Sequence, residues 1–379
     1  MLAAPIPWDC VSTSFPAVHP FTSDKCRMNI DFVSSASPLL LCFGTKGEEI
    51  VMIDIDVISV RSGDVSLSVA VAGKGPLVIM MHGWPDLGRA WRHQMGPLAD
   101  AGYRVAAPDM RGYGDSSAPE DPAAYTIDHA ADDMSAIADA LGYRTWISVG
   151  HDWGSPVAWR TAQRFPDRVR AVFSLGVPHR LPSPVGAHEW FDAVYPGRFY
   201  YMRYFEPVGP AEDELGRDAR DSLKRIFHAL SGEVPFGEWL KSRPLDDALL
   251  PGLASPPAGP LSFMSDAELD AHAAPFLRNG FYGSLCWYRN WDTNEAQARA
   301  YGDQTIRQPT GFLCGDREIV LLMFDHGLET QRTLCPDLRM ERILSGCGHW
   351  TPSERPTETT TALLEFLSDV ARRPGEGAS

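Results

Sequence analysis

Gly150-His151-Asp152-Trp153-Gly154 sets a carboxylate between two glycines. Trp146-Ile147-Ser148-Val149 just before it reads as a strand, and the stretch from Trp153 to Phe165 reads as a helix. A Gly-x-nucleophile-x-Gly turn at such a junction is tight enough to push its central residue into a site. The helix start adds N–H groups and a dipole that favour an anion. Asp is also a common helix cap, so the pentapeptide alone reads equally well as a structural turn. No Gly-x-Ser-x-Gly occurs anywhere in the chain, so a serine turn of this kind has no candidate.

Further glycine-flanked loops follow strand-like runs. Gly315-Asp316-Arg317-Glu318 comes after Thr310 to Cys314, and Gly346-Cys347-Gly348-His349-Trp350 after Leu338 to Leu344. Nucleophile, acid and histidine in that chain order make a triad in which the acid orients the imidazole. Two carboxylates, Glu318 and Asp316, compete for the acid position. His82-Gly83-Trp84-Pro85 follows the apolar run Leu77 to Met81. A loop there supplies one N–H of an oxyanion hole, that of Trp84; the second is the N–H of Trp153, next to the nucleophile. A cis bond at Pro85 is one way to set this loop. Asp109-Met110-Arg111-Gly112-Tyr113-Gly114-Asp115-Ser116 reads as a polar turn that braces the site.

The choice of Asp restricts the reaction. A serine that attacked an sp3 carbon would form an ether, which a water–histidine pair cannot hydrolyse. An aspartate forms an alkyl ester, whose carbonyl is open to water activated by a histidine. Epoxides and alkyl halides fit this scheme, and it needs no cofactor and no metal. The two substrates differ in the leaving group: an opened epoxide wants O–H donors, and a halide wants N–H donors. Tyr201-Met202-Arg203-Tyr204-Phe205 and Trp287-Tyr288-Arg289-Asn290 offer phenols, which with a pKa of about 10 are protonated at neutral pH. The aromatic and apolar residues nearby (Phe191, Tyr195, Phe199, Tyr200, Met202) suggest a small hydrophobic substrate.

The elements that must position these residues alternate. Ile53, Ile55, Val57 and Val60 begin a strand-like stretch, and Val65 to Val71 alternates apolar and polar residues. Leu77 to Met81 and Tyr103 to Pro108 read as buried strands, Ile127 to Leu141 as a helix, and Ala171 to Leu175 as another strand. Strand and helix in alternation predict a mostly parallel sheet covered on both faces. The rhythm stops from about Pro178 to Asn294, where Leu223 to Leu230 and Ala267 to Phe276 are helical patches. It resumes with Thr310 to Cys314, a helix over Leu321 to Leu334, the strand Leu338 to Leu344 and a helix over Thr357 to Ala371. The expected organisation is a leader over 1–51, an α/β core in two parts over 52–177 and 295–379, and a helical cap over 178–294. The acidic patch Glu212 to Glu214 is expected on a solvated face.

The chain has 379 residues, 44% hydrophobic and 22% charged, an ordinary balance for a globular enzyme that excludes a disordered chain. The net charge of −15 argues against a nucleic-acid or anionic-membrane partner. No apolar run approaches the ~18 residues that span a bilayer. The seven Cys are odd in number and include no Cys-x-x-Cys pair, which suggests neither a disulfide framework nor a zinc site. Three of them (Cys10, Cys26, Cys42) lie in the leader. Nothing there resembles a basic segment leading into an apolar one, so the expected compartment is cytoplasmic. Oligomeric state is open, with a homodimer one option.

Roughly from residue 52 to 372, the chain resembles the α/β-hydrolase-fold epoxide hydrolases. The likeness rests on the His-Gly-Trp-Pro loop, the Asp109 to Ser116 turn, the Gly-His-Asp-Trp-Gly elbow, the Tyr-Met-Arg-Tyr-Phe and Trp-Tyr-Arg-Asn motifs and the Gly-His-Trp near the end. The elbow is shared with dehalogenases, whereas the two tyrosine motifs together are much more specific. The resemblance implies Asp152 as nucleophile and His349 as base. It favours Glu318 over Asp316, because the family places the acid three residues after the glycine. It implies Tyr201 and Tyr288 as the donors to the epoxide oxygen, with Tyr204 as the fallback. Two departures stand out: Glu318 where Asp is usual, and Ser155 where Gly or Ala is common. The rival expectations are a haloalkane or haloacetate dehalogenase and a non-catalytic binding protein of the same fold.

Overall fold

The computed structural model describes residues 54–324 and 326–373. The leader expected over 1–51 lies outside the described residues. Eight strands form one sheet: β1 (Asp56–Ser62), β2 (Val65–Gly73), β3 (Leu77–Met81), β4 (Arg104–Pro108), β5 (Trp146–His151), β6 (Val169–Leu175), β7 (Thr310–Gly315) and β8 (Leu338–Leu344). Their spatial order is β1-β2-β4-β3-β5-β6-β7-β8. β2 runs antiparallel to both β1 and β4, and all other neighbours are parallel. This is the α/β-hydrolase fold. Every residue of β3, β5 and β7 is buried, as continuous apolar runs covered on both faces require.

On one face, α1 (Arg92–Asp100) and α13 (Pro356–Arg372) close over Val78, Met80, Ile147 and Phe173. The Phe173 and Phe366 rings meet there at 5.1 Å. On the other face, α2 (Ile127–Ala140) and α3 (Gly154–Arg164) bury Met134, Ile137, Val157 and Ala158 against Ile79 and Met81. Between β6 and β7 run α4 (Ala187–Val194), α5 (Tyr201–Tyr204), α6 (Pro210–Gly216), α7 (Ala219–Ala229), α8 (Asp266–Asn279), α9 (Tyr282–Leu285) and α10 (Trp291–Ala300). The last of these runs across residue 294. α8 starts on a capping box in which Ser265 and Glu268 exchange hydrogen bonds. Phe205, Leu215, Leu223 and Trp287 from this segment belong to the same apolar cluster as Ile79 and Trp153, so the segment packs directly on the sheet layer.

Two expectations need correction. The helix over Leu321 to Leu334 is two helices, α11 (Val320–Met323) and α12 (Gly327–Leu334). His326 sits at φ +56° and interrupts the ladder, a conformation a right-handed helix cannot hold. Of the acidic patch only Asp213 is exposed. Glu214 is buried and accepts from the Tyr204 hydroxyl at 2.9 Å and from the N–H groups of Leu249 and Leu250 at 3.0 Å. Glu212 pairs with Arg289 and caps the Gly209 N–H. Buried carboxylates need such donors, and the donors come from segments distant in sequence.

Among the described residues, no helix is long and apolar enough to cross a membrane.

Candidate active site

Asp152 stands between the end of β5 and the start of α3 at φ +52°, the left-handed region that non-glycine residues rarely occupy. Glycines make the turn possible. A Cβ on Gly150 would lie 2.1 Å from the Gly154 carbonyl oxygen, and one on Gly154 would lie 2.2 Å from that of Met81. Ser155 fits without strain: its hydroxyl is buried, 2.9 Å from the carbonyls of Gly150 and Leu175.

The His82 loop carries a cis Trp84–Pro85 bond, as the sequence suggested. It points the Trp84 N–H at Asp152 Oδ1, 2.7 Å away, and the Trp153 N–H also bonds the carboxylate. A Cβ on Gly83 would collide with that oxygen at 2.1 Å. His82 locks the loop: its Nε2 accepts the Met110 N–H at 3.0 Å and its Nδ1–H donates to the Gly83 carbonyl at 2.8 Å.

His349 Nε2 lies 3.6 Å from Asp152 Oδ2, an ion-pair separation rather than a direct hydrogen bond. On its other side, Nδ1 meets Glu318 Oε1 at 2.9 Å and Oε2 at 3.0 Å. Glu318 is completely buried and also accepts the Val320 N–H at 3.1 Å. The longer acid has room because Gly176, at φ +79°, has no side chain; a Cβ there would sit 2.8 Å from Glu318 Oε2. Asp316 faces elsewhere, taking the Gly346 N–H at 2.8 Å and the Ser345 hydroxyl at 3.2 Å, as a turn residue does.

The electrostatics follow from this packing. Burial lowers the His349 imidazole, but the charge and hydrogen bond of Glu318, with Asp152 behind them, outweigh it and push it up to about 9. Burial raises the Asp152 carboxyl, opposed by the His349 charge and the two backbone N–H groups.

Tyr201 opens α5 and Tyr288 lies in a short turn before α10, with rings 6.0 Å apart. Both line the same cavity as Asp152. The Tyr201 hydroxyl lies 3.9 Å from Met323 Sδ. Burial, with the nearby carboxylates and phenols, raises both hydroxyls well above their ordinary value, so both stay protonated. Tyr204 points away and spends its hydroxyl on Glu214. Trp287 Nε1–H donates to the Arg111 carbonyl at 3.0 Å and Arg111 pairs with buried Asp133, which ties the second tyrosine motif to the bracing turn.

Of the aromatic and apolar residues expected around the substrate, Phe191, Tyr195, Phe199, Tyr200 and Met202, only Met202 lines the cavity. The others pack into the apolar cluster that the helical segment shares with the sheet layer, as in the Tyr195–Tyr200 stack at 4.2 Å. The cavity holds about 920 Å³ including its open mouth, and its apolar wall beside the tyrosines is Val320, Met323 and Phe324.

Three supporting residues carry no distinctive sequence signal for their roles. Glu354 accepts the N–H groups of Gly232, Gly348 and Trp350 at 2.8, 3.1 and 3.0 Å and so holds the His349 loop. His151, inside the elbow, sets Nε2 2.8 Å from the His349 carbonyl with its ring 4.6 Å from that imidazole. Asp86, one residue past the Pro85 loop, is pushed by burial to about 7 against the pull of Leu87 N–H, Arg92 and His349.

The sheet order with a carboxylate elbow after β5 defines the class, an α/β hydrolase, and residues 76–356 match the family described as alpha/beta hydrolase fold. Epoxide hydrolase A of Mycobacterium tuberculosis is 38% identical over 320 residues, 83% of this chain and 98% of that one. An epoxide hydrolase of Caballeronia sordidicola is 36% identical over 313 residues, 82% of this chain and 93% of that one. The crystal structure of epoxide hydrolase A from Mycobacterium thermoresistibile superposes with a TM-score of 0.78 at 36% identity, covering 83% of this chain and 98% of that one. The chain belongs to the α/β-hydrolase-fold epoxide hydrolase family.

Proposed function

We propose that this protein adds water to a small hydrophobic epoxide to give a vicinal diol, through an ester on Asp152. The observation that carries this reading is the meeting of the Asp152 carboxylate with the Tyr201 and Tyr288 hydroxyls in one cavity. Phenols are the donors an opening epoxide oxygen needs. In the proposed division, residues 178–294 form the cap that hangs these phenols over a core made of 52–177 and 295–379.

Each group has one role in this reading. The Trp84 N–H engages Oδ1, which leaves Oδ2 as the attacking oxygen. Oδ2 bonds to an epoxide carbon, the C–O bond breaks, and a tyrosine proton passes to the departing oxygen, which stays on the substrate. His349 then takes a proton from water, and the hydroxide attacks Cγ of the ester. The charge develops on Oδ1, where the N–H groups of Trp84 and Trp153 already point. Collapse releases the diol and restores the carboxylate.

His349 changes character between the steps. In the free enzyme the anionic Asp152 helps keep it protonated. Alkylation makes Asp152 a neutral ester and removes that contribution, so the imidazolium gives up its proton, which restores the tyrosinate left by ring opening to a phenol, and His349 is a free base when water must be activated.

The test is diol formation from aromatic and aliphatic epoxides, with Asp152→Ala as the inactive control. His349→Gln should trap the ester as a mass increase on the Asp152 peptide. Halide release from alkyl halides without diol from any epoxide would point to the dehalogenase instead.

A further inference from the structure

Two aromatic rings face the outer part of the cavity from different elements. Trp291 opens α10, and Phe324 follows the end of α11; both line the cavity. Exposed residues flank them on each side. Leu181 and Leu322 are 56% and 50% exposed, and Asp292 and Thr293 face solvent. The two rings therefore stand in the surface layer, where the cavity meets solvent.

Arg180 lies against both of them. It comes from the segment that leaves β6 and also lines the cavity. Its guanidinium carbon sits 5.4 Å from the centre of the Trp291 ring and 5.0 Å from that of Phe324. Both are stacking distances for a cation on an aromatic face. Behind these rings stand Phe191, 5.8 Å from Trp291, and Trp190, 5.9 Å from Phe324, themselves 5.5 Å apart. Neither of the latter two lines the cavity, so Arg180 stands on the cavity side of this bank of rings.

An arginine near the surface ordinarily keeps much of its rotamer freedom and would yield to a bulky ligand. This one is held. Nη2 pairs with Glu295 of α10, and Nη1 donates to the Leu181 carbonyl at 3.0 Å. Glu295 is 4% exposed and takes the Ser183 N–H as well. Swinging Arg180 away would strand a buried carboxylate, which is costly. Arg299 adds a further tie from α10, its Nη1 donating to the Ser183 carbonyl at 2.6 Å. The guanidinium is thus a rigid part of the wall.

This wall is continuous with the reacting centre. Met323, 3.9 Å from the Tyr201 hydroxyl, is the neighbour of Phe324 in the chain, and both line the cavity. A substituent on an epoxide seated between Asp152 and Tyr201, directed outward along Met323, meets the guanidinium beside Phe324.

We propose that Arg180 is a specificity-determining residue: held against Trp291 and Phe324, it fixes the width of the outer cavity and selects epoxides with a slender substituent over those with a wide one. The inference rests on the epoxide hydrolase reading and narrows its substrate class.

The test compares a linear alkyl epoxide with an adamantyl epoxide of similar carbon number. Arg180→Lys keeps a cation for Glu295 and removes the flat group that stacks on the rings. Arg180→Ala combined with Glu295→Gln empties the space without stranding a buried charge; the lysine variant decides should this one fail to fold. The ratio of kcat/KM for the wide epoxide to that for the linear one should rise about tenfold over wild type in the double variant and several-fold in Arg180→Lys, through KM. A ratio that stays at its wild-type value in the variants that fold, or a change that is equal for the two substrates, would overturn the assignment. Calorimetric binding of unreactive analogues, with an ethyl group in place of the epoxide, separates the two readings. Diol from the linear epoxide with an unmoved ratio leaves the hydrolase reading standing and removes the determinant. Analogue affinities that shift toward the wide one in the variants, with no epoxide turned over, keep the determinant and remove the hydrolase reading.

Discussion

At the scale of single residues, this site works by setting the protonation state of each group through its neighbours. Glu318 and Asp152 together raise His349 to about 9. The sign of the pH dependence follows. Ester breakdown needs the neutral imidazole, so its single-turnover rate should rise with pH and level off above an apparent pKa below 9, because the ester no longer contributes its charge. Alkylation needs ionised Asp152, whose carboxyl is raised by burial, and should be lost as pH falls. Rapid-quench measurement of ester formation and decay reads both limbs. Glu318→Gln removes the main charge that supports the imidazole and should slow ester breakdown on the order of a hundredfold or more while alkylation still occurs. Tyr201→Phe and Tyr288→Phe should act on the opposite step, each slowing alkylation on the order of a hundredfold. An equal slowing of both steps by a tyrosine variant would argue that the phenol is structural.

Elements supply positions that the residues cannot hold alone. The elbow exists because β5 stops and α3 starts within two residues, with β3 packed so closely that only a glycine fits at 154. Gly154→Ala would drive a methyl group to 2.2 Å from the Met81 carbonyl. It should cost about 2–3 kcal/mol of stability by overpacking and depress turnover, read from the denaturant midpoint and the diol rate. Most of the sheet was legible from apolar runs and alternation: β7 and β8 fall within a residue of their expected bounds. The break between α11 and α12 was not, because residues 321 to 334 keep helical spacing in the sequence, while the backbone is extended at Phe324 and left-handed at His326.

For the molecule as a whole, the helical segment and the sheet share one continuous apolar cluster, in which Trp287 and Phe205 join Trp84 and Trp153. The helical segment has no separate core to fold around. Unfolding followed by tryptophan fluorescence, with Trp239 in the helical segment and Trp91 and Trp146 in the sheet layers, should therefore coincide with unfolding followed by far-UV circular dichroism. Two separated transitions would show that the cap melts by itself. The same continuity keeps the tyrosines over Asp152, since Tyr288 packs edge-on against Trp84 at 5.9 Å and Trp153 at 5.2 Å.

The sequence by itself narrowed the chemistry and determined most of the frame. An aspartate in a Gly-x-x-x-Gly turn admits only a short list of reactions, and its order before an acid and a histidine is written in the chain. Periodicity marked the strands, because burial on both faces leaves an unbroken apolar run. Only the tertiary structure decided between Glu318 and Asp316 as the partner of His349, and between Tyr201 and Tyr204 as the residue that faces Asp152. Each of those pairs lies within three residues, so composition and spacing cannot separate them. Direction does, and direction depends on distant packing: Gly176 opens the space for Glu318, and Glu214 draws Tyr204 away. The buried Glu214 and the pairing of Arg180 with Glu295 escaped the sequence reading for the same reason, since hydrogen-bond partners brought together by folding leave no local pattern in the chain.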